Sequence, residues 1–165
     1  MRLSPLQRTM MAADGTLSTL IEAYTGDTLS IRKLDVTSWP HPNAVLDRTD
    51  DEPIETRAVL ISGERLGPVL FAVTTLVPGR LDGSIREVLE RTQTAIGKLM
   101  VSRKYETFRE VLNVHMEPAL GHARLLGVAP DARVLVRTYR IFRNGRPLMA
   151  ITETFRYERF LELPE

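Results

Sequence analysis

The chain has 165 residues, a length typical of one domain with a single core. Lys and Arg number 22 and Asp and Glu 21, so the formal charge of +1 lacks the basic excess that phosphate-dominated nucleic-acid binding needs. No apolar run approaches the ~20 residues of a membrane span, and the absence of cysteine excludes disulfides, thiolate metal sites and a cysteine nucleophile. We therefore expect one cytoplasmic domain, 1–165, without a membrane span or a nucleic-acid partner.

Apolar residues recur at helical spacing in some segments and at β spacing in others. Ser84 and Glu87 have the spacing of a capping box at a helix start. Two predicted hairpins separated by helices indicate an antiparallel α+β domain. In chain order the predicted elements are helices 6–13 and 16–24, strand 28–34, a long connection 35–55, strands 56–62 and 69–77, helices 84–91, 95–101 and 106–111, a segment 115–132 that is either helix or loop, and strands 133–143 and 146–155.

The last hairpin carries ionisable residues in a β pattern. Asn144-Gly145 is typical of a two-residue type I′ turn, which places Arg143 opposite Arg146. Strict alternation from that turn puts Glu153 on an apolar face, where a lone carboxylate must be paired, protonated or in contact with a ligand. The opposite face is also largely apolar, so either face could be the solvent side. The predicted face of Glu153 comprises Val134, Val136, Thr138, Arg140, Phe142, Met149, Ile151 and Phe155.

Common catalytic signatures are missing from the sequence, including the Walker loop, the His-Glu-x-x-His motif and the Gly-x-Ser-x-Gly elbow. His41, His115 and His122 lie in different predicted elements without metal-ligand spacing, so we predict no metal site. Charged residues inside β patterns remain as candidates. Their ordinary interpretation is a solvent-facing ladder on the sheet. The candidates are Arg57, which shares a face with Val59 and Ile61, either Arg137 or Arg140, and Glu153.

Several segments, taken in order and at their spacing, resemble the chorismate lyases (chorismate pyruvate-lyases), particularly the actinobacterial and archaeal branch. The resemblance covers nearly the whole chain, from about residue 3 to residue 155. Its most specific parts are Tyr139-Arg140, then Asn144-Gly145-Arg146-Pro147, then Thr152-Glu153. The segments are LSPLQRTMMAADGTLSTLIEAY, TRAVLISG, FAVTTLVPGRL, TAIGKLM, KYETFREV and RTYRIFRNGRPLMAITETF.

The resemblance implies a largely antiparallel sheet of about six strands whose flanking helices enclose a ligand cavity under helical flaps. It implies a reaction without a cofactor, in which chorismate loses pyruvate and its ring aromatises to 4-hydroxybenzoate. The same resemblance implies that Arg57 binds the ring carboxylate and that Glu153 faces the ring oxygen at the scissile ether. Ile96 and Gly97 correspond to a Leu-Gly pair on a flap over the ligand.

Chorismate is a dianion, so a low-dielectric pocket for it needs cations, and arginine can hold a carboxylate bidentately. Arg57 is predicted to bind one carboxylate and Arg140 the other. A protonated Glu153, favoured by burial, could donate a proton or a hydrogen bond to the ether oxygen. Thr74 and Thr138 complete the predicted substrate contacts.

One position departs from the resemblance. Many relatives have Ala-Glu-Ser where this chain has Val73-Thr74-Thr75, so Thr74 replaces an acid. The chain could therefore act on another cyclic or aromatic acid. A further alternative is a non-catalytic ligand-binding domain, because ligand-sensing domains of GntR-type regulators have a similar fold; the lack of an N-terminal DNA-binding segment disfavours it. We expect a monomer or a weak homo-oligomer.

Overall fold

Six strands form one antiparallel sheet in the computed structural model, which describes residues 3–34, 45–47, 52–91 and 96–160. The strand order β1-β2-β3-β6-β5-β4 places the hairpin β2–β3 beside the hairpin β5–β6 and leaves β1 and β4 at the edges. The elements are α1 (Pro5–Ala12), α2 (Leu17–Thr25), β1 (Leu29–Leu34), β2 (Glu55–Gly63), β3 (Gly67–Leu76), α3 (Gly83–Arg91), α4 (Ile96–Ser102), β4 (Phe108–Pro118), α5 (Ala123–Leu126), β5 (Arg133–Arg143) and β6 (Arg146–Arg156).

The α+β class and the six-stranded antiparallel sheet predicted from the sequence are confirmed. Most of the predicted connection 35–55, His41 included, lies outside the described residues. Ser84 is not the N-cap residue that the predicted capping box requires, because α3 begins one residue earlier, at Gly83. A capping box lies instead at α1, where the side chain of Ser4 accepts from the Gln7 N–H and that of Gln7 from the Ser4 N–H.

Apolar side chains cover both faces of the sheet. On one face, α1 and α2 pack over one end through Met10 and Ile21, and α4 packs over the other end through Leu99 and Met100. On the opposite face, α5 packs against a separate cluster. No described helix is long and apolar enough to cross a membrane. The gap between the two helix groups of the first face leaves the central strands open to a cavity.

The prediction of a helix over 106–111 is wrong, because residues 108–111 belong to the edge strand β4. Phe108, Val111 and Leu112 have helical spacing in the sequence. In the structure, a bulge between Val111 and Asn113 interrupts the pairing of β4 with β5, so that alternation is lost at Leu112. All three apolar side chains are exposed, at 66%, 43% and 41%. The apparent helical face is therefore a bulged strand at the sheet edge.

The predicted register of the last hairpin is correct at the turn and wrong beyond it. Asn144 and Gly145 have φ angles of 49° and 73°, as a type I′ turn requires, and Arg143 pairs with Arg146. A bulge then leaves Leu148 without a partner on β5, and its carbonyl accepts instead from the Val77 N–H at 3.1 Å. This one-residue shift reverses the face of β5 relative to β6. The face of Glu153 consequently includes Leu135, Arg137, Tyr139 and Ile141.

Candidate active site

A small cavity lies over the centre of the sheet, between the start of α2 and the residues Ile96 and Gly97 of α4. It measures about 70 Å³, and a larger cleft of about 470 Å³ lies directly outside it. Five of the residues predicted from the sequence line this cavity together. They are Arg57, Thr74, Ile96, Gly97 and Glu153.

Arg57 extends from β2 into an apolar part of the cavity. Its cross-strand partner on β3 is Thr74, and Val59 and Ile61 share its face. The residue is only 5% exposed, and this burial lowers the pKa of the guanidinium, an effect that the charge of Glu55 opposes. A cation held in such a place favours an anionic ligand, because opposite charge compensates for lost hydration.

Glu153 is a paired carboxylate rather than a lone one. Its Oε2 accepts from Nε of Arg137 at 3.0 Å and from Nη2 at 2.7 Å, and both side chains are almost fully buried. The remaining nitrogen of Arg137, Nη1, donates to the carbonyl oxygens of Met10 at 2.7 Å and Ala13 at 2.9 Å. Arg137 therefore fixes the carboxylate of Glu153 and ties the sheet to α1.

Tyr139 donates the third hydrogen bond to Glu153, from its hydroxyl to Oε1 at 3.1 Å. The centroid of its ring is 4.8 Å from Cζ of Arg137 and 5.5 Å from Cζ of Arg109. Burial raises the pKa of Tyr139, and the charge of Glu153 raises it further. The hydroxyl thus stays protonated and acts as a donor to the carboxylate.

Arg140 and Thr138 do not line this cavity, contrary to the sequence prediction. The bulge at Leu148 turns them to the opposite face of the sheet, where Arg140 donates to Glu110 and Thr138 contacts Thr152 with their hydroxyl oxygens 3.1 Å apart. Sequence reasoning missed Arg109 and Tyr139 as site residues and left Arg137 undecided. The available signal was Pro147, since proline within a sheet is confined to edges and bulges.

The start of α2 contributes two hydroxyl groups to the cavity wall. Thr16 is the N-cap residue, but its side chain makes no capping hydrogen bond. Its Oγ1 and the Oγ of Ser18, a residue 4% exposed, are buried with no hydrogen-bond partner among the described residues. A Cβ on Gly97 would lie 3.2 Å and 3.3 Å from two side-chain atoms of Thr16, so glycine permits the close approach of α4 to this end of α2.

The fold is shared with solved structures of low sequence identity. PhnF from Mycobacterium smegmatis superposes with a TM-score of 0.70 at 14% identity, over 90% of this chain and 67% of that one. The effector domain of the same protein gives a TM-score of 0.65 at 16% identity, over 88% and 90% of the two chains. These similarities define the class of fold, an α+β domain with the fold of the PhnF effector domain.

Sequence similarity identifies the family within that class. Residues 11–161 match the family described as "Chorismate pyruvate-lyase Rv2949c-like", and the chain belongs to it. The chain is also 25% identical over 164 residues to a protein of Mycobacterium tuberculosis (strain H37Rv) named chorismate pyruvate-lyase, covering 95% of this chain and 82% of that protein.

Proposed function

We propose that the protein is a chorismate pyruvate-lyase that forms 4-hydroxybenzoate and pyruvate without a cofactor. The observation that carries this proposal is one small cavity that holds a buried cation, Arg57, and a fixed carboxylate, Glu153, in a chain of this family. Arg57 pairs with Thr74 of β3 and Glu153 with Ala72, so the two residues lie two strands apart and are offset by two residues along the strands, which places their backbones about 12 Å apart. That separation suits a six-membered ring with a carboxylate at one end and a hydroxyl at the other.

The reaction needs no oxidant, reductant or water. The bond between the ring carbon and the enolpyruvyl oxygen breaks, and the neighbouring hydroxyl-bearing carbon loses its hydrogen as a proton. The ring becomes aromatic, and the leaving enolpyruvate gains a proton at its methylene carbon to become pyruvate. Because aromatisation makes the reaction downhill, positioning of the substrate is a large part of what a protein must supply.

Glu153 acts in this proposal as an acceptor that positions the ring hydroxyl. Arg137 and Tyr139 both donate hydrogen bonds to its oxygens, so Glu153 already serves as an acceptor in the site. A carboxylate has about four lone-pair positions, and Arg137 and Tyr139 occupy three of them. The remaining position suits a hydroxyl group on the ligand. This role replaces the proton donation to the ether oxygen that the sequence alone suggested.

Thr74 favours an anionic ligand at Arg57. The two residues are directly opposite on adjacent strands, and an acidic residue at position 74 could form a cross-strand ion pair with Arg57. Threonine cannot form that pair. The departure from many relatives is therefore compatible with chorismate, because it leaves the positive charge of the cavity uncancelled by this neighbour.

The direct test is to mix the purified protein with chorismate and follow pyruvate and 4-hydroxybenzoate together. We expect the two products to appear in equal amounts, and Arg57→Ala to raise KM and lower kcat. Arg140→Ala is the matched control, since it removes an arginine from the opposite face and should retain activity. Binding of 4-hydroxybenzoate without turnover of chorismate would indicate a non-catalytic ligand-binding domain. If the protein binds neither 4-hydroxybenzoate nor chorismate, an enzyme acting on another cyclic acid becomes the better interpretation.

A further inference from the structure

We infer that Arg109, with the hydroxyl groups of Thr16 and Ser18, forms a second carboxylate subsite at the mouth of the cavity. In a chorismate complex this subsite would bind the carboxylate of the enolpyruvyl arm, while Arg57 binds the ring carboxylate. This inference rests on the proposed function for the identity of the ligand. The subsite itself is argued from the geometry below.

Arg109 stands at the boundary between two spaces. Together with Thr16 and Gly97 it borders both the inner cavity and the outer cleft. Its Nη1 donates to the carbonyl oxygen of Gly15, and its guanidinium lies over the ring of Tyr139. Neither contact neutralises its charge, and no carboxylate among the described residues forms an ion pair with it. A ligand anion at this point would meet donors that a planar guanidinium still offers.

The start of α2 offers donors at the same place. α2 has nine residues, and its first N–H groups lack partners within the helix, which makes this end favourable for negative charge. Ser18 supplies the independent observation, because its Oγ is buried in the cavity wall without a partner in the described part of the chain. Buried hydroxyl groups are rarely left unpaired, and a carboxylate oxygen would satisfy it together with Oγ1 of Thr16.

The arrangement matches a ligand with two carboxylates at different depths. A ring held by Arg57 and Glu153 lies inside, and an arm on that ring must leave past Thr16, Gly97 and Arg109 to reach the outer cleft. The subsite therefore binds the part of the substrate that becomes pyruvate. 4-Hydroxybenzoate lacks that part and should not depend on Arg109.

Calorimetric titration with two stable compounds of similar size distinguishes the contributions of the two carboxylates to binding. Meta-carboxymethoxybenzoate carries both, and meta-methoxybenzoate carries only the ring carboxylate. We expect the wild type to bind the first compound, a dianion, at least about tenfold more tightly than the second, a monoanion. Arg109→Gln should abolish that preference and leave the affinity for the monoanion nearly unchanged. Ser18→Ala should reduce the preference severalfold. Arg103→Gln, which removes an exposed charge that borders neither space, is the control and should change nothing.

If the wild type shows no preference for the dianion, no second carboxylate subsite exists and the inference is overturned. It is equally overturned if Arg109→Gln weakens both probes in parallel, because Arg109 would then support the cavity as a whole. With chorismate, Arg109→Gln should raise KM while the dissociation constant of 4-hydroxybenzoate stays constant. A wild type that prefers the dianion but does not convert chorismate would contradict the proposed function and leave the subsite supported.

Discussion

The central residue of the site is Arg137, although it does not line the cavity. A buried charge is costly unless it is paired and hydrogen-bonded, and each of the three guanidinium nitrogens has an acceptor here, supplied by one carboxylate and two carbonyl oxygens. The partners come from β6, from α1 and from the residue after α1. Arg137 therefore links the position of Glu153 to the packing of the N-terminal helix. A substitution in α1 or at Glu153 should therefore alter the geometry of the cavity.

We predict that Glu153→Gln lowers kcat for chorismate by about tenfold or more while the fold remains intact. Glutamine keeps the size and can still accept from Arg137, but it loses the charge that orients Tyr139 and the ring hydroxyl. Turnover is followed through pyruvate release, and the fold through circular dichroism. Glu117→Gln, on the half-buried side of β4, is the control. Near-normal turnover in Glu153→Gln would contradict the role assigned to this carboxylate.

His122 should give the folded state a pH dependence below neutrality. Its ring packs on Phe71 with 5.2 Å between ring centroids, and burial lowers its pKa below the ordinary 6.5, an effect that Glu117 opposes. The unfolded chain then binds the proton more readily than the folded one. The stabilising contribution is present above about pH 6.5 and is lost as the pH falls toward the pKa of the folded state.

The measurement for His122 is the urea midpoint at about pH 7.5 and about pH 5. We expect the wild type to lose more stability over this interval than His122→Gln, in which the titrating group is absent. Carboxylates contribute equally in both proteins, so the difference isolates the histidine. Equal losses in the two proteins would show that His122 titrates alike in the folded and unfolded states.

At the scale of elements, two bulges decide which side chains reach the site. The helices 6–13 and 16–24 and both hairpins could be predicted because their signals, apolar spacing and turn residues, are local. The bulges at Leu148 and Leu112 depend on pairing with distant strands, such as the hydrogen bond from Val77 to Leu148. The alternation of residues within one strand does not reveal these bulges, and for this reason Arg140 was predicted on the wrong face.

The β2–β3 hairpin depends on a glycine beside a buried carboxylate. Asp27 accepts from the N–H groups of Thr28, Arg65 and Leu66, and a Cβ on Gly63 would overlap its Oδ2. We predict that Gly63→Ala lowers the free energy of unfolding by about 1–3 kcal/mol, because the carboxylate must move away from its donors.

Urea unfolding of Gly63→Ala beside Gly79→Ala tests this prediction. Gly79 has open space where a Cβ would be added, so its substitution controls for the general effect of replacing glycine. The argument fails if the two variants are equally stable.

At the scale of the whole molecule, helices pack on both faces of the sheet. The cavity lies where the helices of one face leave a gap. The sequence predicted that Arg57, Thr74 and Glu153 would belong to one site, and the structure brings them together. Arg109 escaped prediction because its segment has the spacing of a helix, whereas an edge strand carries it to the cavity. Long-range topology, rather than local pattern, placed this residue.

If the site binds the ring carboxylate and the ring hydroxyl as proposed, it should also bind its own product. We predict that 4-hydroxybenzoate inhibits near the concentration of the Michaelis constant, because it keeps both groups. Benzoate lacks the hydroxyl and should bind about tenfold more weakly, as an acceptor on Glu153 goes unused. Calorimetric titration of both compounds checks this. Equal affinities would show that Glu153 does not recognise the ring oxygen.

The boundary formed by Thr16, Gly97 and Arg109 also bears on the order of events after bond cleavage. If the two carboxylates are bound as we infer, pyruvate starts at the mouth and the aromatic acid starts behind it, so products that leave past these three residues would leave in a fixed order. Steady-state kinetics would then show noncompetitive inhibition by pyruvate and competitive inhibition by the aromatic acid. An exit shared by both products would thus turn a one-substrate reaction into an ordered release of two products.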